Sequence, residues 1–206
     1  GQSFAFVLVP PLARDLGLSV IETSTIFSIS AVAWALTSAS WGRASDKFGR
    51  RNIAVIGLIG YSVSIIALIT PLFLVEQNIL DLVYLLPLLI LGRLINGLIG
   101  SATRPAAFAY MADITDRSKR TKKFARLESS FLIGTIMGPM IGGFLFLYSK
   151  SLPFYCFAFC GFISAIGILV SFPKRTNAKE SATKINSKIS YKDKTVWPFL
   201  LIAALS

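Results

Sequence analysis

The chain has 206 residues, with 21 Lys and Arg against 10 Asp and Glu, and a net charge of +11. Only 15% of the residues are charged and 54% are hydrophobic, whereas a soluble domain carries roughly 25% charged residues. The positive residues sit in short bursts between long apolar runs, so the basic balance reads as a membrane topology signal and disfavours a nucleic-acid partner. There is no histidine, which removes Ser-His-Asp and Cys-His catalysis, HExxH zinc sites and imidazole proton relays.

Six apolar stretches follow one another and a seventh begins. The first, residues 1–13, closes on Pro10-Pro11-Leu12 and is shorter than a span. The others cover 20–41, 53–74, 82–111, 124–148 and 153–172. At a rise of about 1.5 Å per residue, about 20 residues cross a hydrocarbon core of about 30 Å. The expected fold is therefore all-α: a polytopic transmembrane six-helix bundle over residues 1–172, with its first helix truncated. Residues 173–194, rich in Lys, Ser, Thr and Asn, read as a basic cytoplasmic linker. Residues 195–206 read as the start of a seventh helix. The short first run, the missing initiator Met and the interrupted last run imply a protein that continues at both ends. Cys156 and Cys160 lie four apart in the sixth run and read as small buried hydrophobes. No metal or other cofactor is expected, and the partners expected are the bilayer, a small-molecule solute, protons and the protein's own C-terminal half.

Orientation follows from the basic residues. The link after the second run holds Arg43, Lys47, Arg50 and Arg51, and the link after the fourth holds Arg117, Lys119, Arg120, Lys122, Lys123 and Arg126. The stretch after the sixth holds seven more, from Lys174 to Lys194. The intervening links hold only Arg14 and Lys150. The basic links are therefore expected in the cytoplasm, as in a multi-pass protein of a bacterial inner membrane.

Three motifs carry chemistry. Between the second and third runs stands Gly42-Arg43-Ala44-Ser45-Asp46-Lys47-Phe48-Gly49-Arg50-Arg51, of the form GxxxDxxGRR. Its glycines suit close backbone approach and a tight turn. Asp46 can pair with nearby cations or a helix N-terminus, and Arg50 and Arg51 can hold the link at anionic headgroups. In the fourth run, Arg93, Gly97 and Gly100 share one helical face at i, i+4 and i+7. An arginine about ten residues into a span costs about 2.5–3.5 kcal/mol on the lenient insertion scale, so it should face a cavity or a partner. In the fifth run, Gly134, Gly138 and Gly142 clear a groove, beside Gly143, while Pro139 removes a backbone donor.

In this order the motifs resemble those of the major facilitator superfamily, and the chain is similar to the N-terminal half of its twelve-span drug:proton antiporters. Ala109 to Asp116 and Pro10 to Leu16 are similar to the tetracycline-efflux branch. The resemblance implies that Gly42, Asp46, Gly49, Arg50 and Arg51 help latch two halves together in the outward-facing state. It ties Arg93, with Gly97 and Gly100, to proton coupling, and it associates the Gly134–Gly143 motif with exporters. The function it implies is a secondary active, proton-coupled exporter of a small organic solute or drug. An exporter of an anionic siderophore or metabolite, or a symporter or facilitator of the same fold, is the alternative.

Arg104-Pro105 departs from the family pattern, which has small residues there. Arg104 either snorkels to the cytoplasmic interface or adds positive potential to the cavity and favours an anionic solute. Ser28, Ser38, Asn96 and Arg104 are candidate cavity residues, each equally readable as packing. No carboxylate stands at the midplane: Asp15 and Glu22 fall near the outer surface, Asp113 and Glu128 near the inner one. An intramembrane enzyme is disfavoured by the lack of histidine and of HExxH or GxSxG patterns, and nucleotide-driven pumping by the lack of a GxxxxGK[ST] loop.

Overall fold

The computed structural model describes residues 2–171, and within them the chain is helical, without β-strands. In order these are α1 (Gln2–Asp15), α2 (Val20–Phe48), α3 (Arg50–Glu76), α4 (Leu85–Leu98), α5 (Thr103–Asp113), α6 (Arg120–Phe146) and α7 (Leu152–Ser171). Five segments are long and apolar enough to cross a membrane: Val20–Phe48, Arg50–Glu76, Leu82–Asp113, Arg117–Phe146 and Leu152–Ser171. The third of these contains both α4 and α5, and α1, at 14 residues, completes a six-membered all-α bundle. The linker and the seventh helix expected from the sequence lie outside the described residues.

Two expectations about local structure need correction. The stretch Gly42–Phe48 is not a loop but the last two turns of α2, and α3 starts at Arg50. Only Gly49 stands between the two helices, with φ 94° and ψ 138°, a conformation that disfavours any side chain. The helical form wins because the stretch satisfies its own groups: Ser45 Oγ donates to the Gly42 carbonyl, and the Gly49 amide donates to the Ser45 carbonyl. With 29 and 27 residues, α2 and α3 reach about 43 and 40 Å, well past a core of about 30 Å. Their extra turns carry the motif out of the hydrocarbon.

The fourth span, expected as one helix, is broken by a 3-10 turn at Gly100–Ala102. Pro105 stands in the first turn of α5, where its missing amide proton and its crowding of the Ser101 carbonyl four residues back cost less than in a helix interior. In a bilayer the freed carbonyls need partners from the protein itself. Helix α2 supplies them: Thr37 Oγ1 donates to Gly97 O at 3.0 Å and Trp41 Nε1 to Leu98 O at 2.6 Å, while one helical turn away Ser30 Oγ donates to Arg93 O at 2.9 Å.

The helices pack chiefly as α3 on α7 and α4, α2 on α4, and α1 on α6. One apolar cluster, with Phe4, Ile65, Leu68, Leu89 and Phe154, fills the end where α1 finishes and α7 begins. A second, with Ile53, Leu58, Ala106, Leu127 and Ile168, fills the basic end. At the first end Lys150, in the turn before α7, donates to Glu76 Oε1 at 2.5 Å. That bond and the Glu76 charge hold the Lys150 ammonium above the usual lysine value.

Candidate functional site

Arg93 is one of the largest fully enclosed side chains of the described bundle, 2% exposed. Its guanidinium carbon lies 4.9 Å from the Phe27 ring centroid and 5.4 Å from that of Phe6. Cation–π contact with two ring faces takes the place of a carboxylate. Its Nε and Nη1 atoms have no hydrogen-bond partner within the described residues, an expensive condition for a buried charge.

The two glycines on the Arg93 face are buried for different reasons. A Cβ on Gly97 would lie 2.6 Å from the Ser30 carbonyl oxygen and 2.8 Å from Ala33 Cβ, so α2 crosses α4 at contact distance there. A Cβ on Gly100 would lie 3.1 Å from Asn96 Nδ2, so Gly100 makes room for the Asn96 side chain. Asn96 is itself 1% exposed and accepts a 2.6 Å hydrogen bond from Gln2 Nε2, and its own Nδ2 has no partner among the described residues.

Next to this group lies a cavity of about 300 Å³. Gln2, Ser3 and Phe6 of α1 and Trp34 of α2 line it, with Leu58 and Tyr61 of α3 beneath. Thr103 and Arg104 of α5, Phe131 and Thr135 of α6, and Gly161 of α7 complete the wall. Three of its hydroxyls, Ser3 Oγ, Tyr61 Oη and Thr103 Oγ1, are buried without a hydrogen-bond partner in the described residues. Arg104 pairs with Glu128 of α6, and its guanidinium lies 5.1 Å from the Phe131 ring centroid and 5.8 Å from that of Phe108.

The other sequence candidates are distributed less evenly. Asn96 stands behind the cavity, joined to it through Gln2. Ser28 is exposed on α2 and donates to the Ser24 carbonyl, and Ser38 is half-buried; neither is among the residues lining this cavity. On α6, Gly134, Gly138 and Gly142 are buried in one row, and a Cβ on Gly142 would meet Phe4 Cβ of α1 at 3.2 Å. Gly143 has open space beside it, and α6 remains helical through Pro139.

At the basic end the GxxxDxxGRR residues form a charged hinge. Arg50 donates through Nε to Asp113 Oδ2 of α5 at 3.0 Å, through Nη1 to Ser45 Oγ at 2.6 Å, and pairs with Asp46 through Nη2. Arg51 donates to the Leu169 carbonyl near the end of α7. Arg120 caps the end of α5, donating to Ala112 O at 3.0 Å and Thr115 O at 3.2 Å. Asp46 keeps a side chain 64% exposed, and no atom of the described residues lies within 4 Å of where a Cβ on Gly42 would stand. The hinge thus joins α2, α3, α5 and α7 while no other described residue covers α2 at Gly42.

Sequence reasoning missed Gln2, Ser3, Phe6, Tyr61 and Thr103 as cavity residues, and Glu128 as the partner of Arg104. A polar residue spaced among apolar ones was the available signal, but it cannot say which helices meet. The Phe6 and Phe27 rings around Arg93 carried no signal at all, since aromatic residues are common in spans.

The family model described as Major Facilitator Superfamily matches residues 1–206. The tetracycline resistance protein, class B, of Escherichia coli is 31% identical, over 100% of this chain and 50% of its own length. The quinolone resistance protein NorA of Staphylococcus aureus (strain Mu50) is 28% identical, over 100% of this chain and 51% of its own length. The chain thus spans about half the length of the curated relatives it matches.

Proposed function

The chain belongs to the Major Facilitator Superfamily, a family of multi-pass membrane transporters, and from that premise we propose that it forms the N-terminal half of a proton-coupled exporter. The solute is a small organic compound or drug, moved by alternating access across a bacterial plasma membrane. The resistance proteins it resembles support that class. The basic end, with Arg50, Arg51 and Arg120, is the cytoplasmic one, in keeping with the positive bias of cytoplasmic links.

One observation carries the reading: Arg93 is enclosed in a span without a carboxylate partner among the described residues. A charge kept there at a cost of several kcal/mol serves no packing purpose that an apolar residue would not serve better. It serves coupling if a proton leaving or joining a carboxylate elsewhere in the whole protein changes what Arg93 faces. The Arg50–Asp46–Asp113 group is read as the latch: Arg50 is held by its own half, and the exposed Asp46 and the face of α2 at Gly42, which no other described residue covers, are offered to the other half. The buried row Gly134, Gly138 and Gly142 of α6, with its close approach to α1 at Gly142, is read as the contact that keeps the pathway sealed against leak. The anionic-solute alternative drew on Arg104, and the Glu128 carboxylate beside Arg104 weakens it.

The test uses the full-length protein in inside-out vesicles from an efflux-deficient host. Respiration acidifies the lumen, and tetracycline, norfloxacin and a carboxylate siderophore are added in turn while a pH-sensitive dye is followed. Proton release on adding a drug, abolished in Arg93→Ala, is the expected result. Absence of any response across the panel, with the protein verified in the membrane, would sink proton antiport and leave a symporter or facilitator.

A further inference from the structure

Arg104 is the one charged side chain among the residues lining the cavity described above. Left alone, it would give the cavity a positive potential and draw anions. It is not left alone: Glu128 of α6 pairs with it, and the two side chains are 48% and 42% exposed. Both heads therefore stand at an open surface rather than in packed core. The Phe108 and Phe131 rings hold the guanidinium in place from one side. The remaining polar atoms of the lining are uncharged, and Ser3 Oγ, Tyr61 Oη and Thr103 Oγ1 have no partner among the described residues. Phe6, Trp34 and Phe131 supply aromatic surface. Arg93 is not among the lining residues, though its guanidinium lies 5.4 Å from the centroid of the lining Phe6 ring.

Resting on the transport reading above, we propose that the Arg104–Glu128 pair is the charge-selectivity element of this cavity, which takes planar aromatic solutes of zero net charge, neutral or zwitterionic. Paired side by side, the two charges cancel at the cavity wall, so a net anion or a net cation gives up water there with no free counter-charge to offset the loss, a penalty for either sign. A solute bearing no net charge avoids that penalty and satisfies the Ser3, Tyr61 and Thr103 hydroxyls. A zwitterion additionally matches the dipole of the pair.

The test reads the local potential chemically and needs no transport. In the full-length protein with Cys156, Cys160 and any other cysteine replaced by serine, Thr135→Cys places one thiol on the cavity wall, two turns from Glu128 on the same face of α6. Its rates of modification by a cationic trimethylammonium and an anionic sulfonate methanethiosulfonate are compared with those of free 2-mercaptoethanol. With the pair intact, the cation-to-anion rate ratio is expected to lie within about threefold of the free thiol. Glu128→Gln is expected to shift it about tenfold toward the anionic reagent, and Arg104→Gln about tenfold toward the cationic one. The double variant, and the exchanged pair Arg104→Glu with Glu128→Arg, are expected to return it near the starting value. Shifts in the same direction, shifts below about twofold, or a thiol that neither reagent reaches would each overturn the proposal. If the ratios move as expected while the vesicle assay shows no exchange, the exporter reading falls and the selectivity pair stands; the reverse result separates them the other way.

Discussion

Arg50 and Arg93 are both arginines at the end or in the middle of a span, and the bundle treats them in opposite ways. Arg50 has two carboxylates and a hydroxyl, Asp46, Asp113 and Ser45, and is 17% exposed at the basic end. Arg93 has two aromatic faces, no carboxylate among the described residues, two unpartnered nitrogens and 2% exposure. The first charge contributes to holding three helices, α2, α3 and α5, together, because Nε, Nη1 and Nη2 each have an acceptor. The second costs free energy where it stands. A bundle built only for stability would bury its charges as it buries Arg50, so the contrast sets a structural arginine beside one whose place packing does not explain, and on the proposed function that place is coupling.

The largest effect expected to sharpen that contrast is at Arg93. Arg93→Met should remove exchange by about 100-fold or more while leaving the thermal midpoint unchanged or higher, because an uncompensated buried charge gives way to an apolar side chain of similar length. Thermal unfolding in detergent and the vesicle assay decide it; a midpoint lowered by several degrees with exchange intact would make Arg93 a packing residue. Next comes the crossing that supports it. Gly97→Ala pushes a methyl group against the Ser30 carbonyl and Ala33, at 2.6 and 2.8 Å, and should cost about 1–3 kcal/mol. Gly42→Ala, with open space around it, is the control that should leave the midpoint level or slightly raised. Equal gains at the two glycines would show that helix propensity, not the α2–α4 contact, controls both. The smallest effect is the coupling between Arg50 and Asp113. A double-mutant cycle with Arg50→Ala and Asp113→Asn should give about 1–2 kcal/mol, a partly exposed ion pair with good geometry. A coupling near zero would remove the hinge from the forces that hold α3 to α5.

Much of this architecture was legible before any coordinates. Apolar runs of span length cannot be placed elsewhere than across a bilayer, and so the all-α bundle and its five full-length spans follow from residues such as those of 53–74 and 153–172. The arginine in the fourth run stood out because a charge there is costly whatever surrounds it. The boundaries were less legible. The end of α2 was placed at Trp41, whereas the helix runs to Phe48, because a polar helix projecting past the membrane and a polar loop have the same composition. The break at Gly100–Ala102 is not readable from Pro105 alone, since α6 stays helical through Pro139 and α2 must lie alongside to satisfy the freed carbonyls.

The sequence by itself determined that this protein is a helical membrane bundle with one arginine in mid-span and a charged turn between its second and third spans. These are consequences of transfer free energies and of hydrogen bonds made within one helix, both local in the chain. Only the tertiary structure decided which partners those groups have. Arg104 meets Glu128 twenty-four residues away, Arg50 meets Asp113 sixty-three residues away, and Asn96 meets Gln2 ninety-four residues away. Such pairs depend on which helical faces come together. In a bilayer that choice is made by close packing and by the need to satisfy polar atoms across helices, and neither is written in the order of residues along a single span.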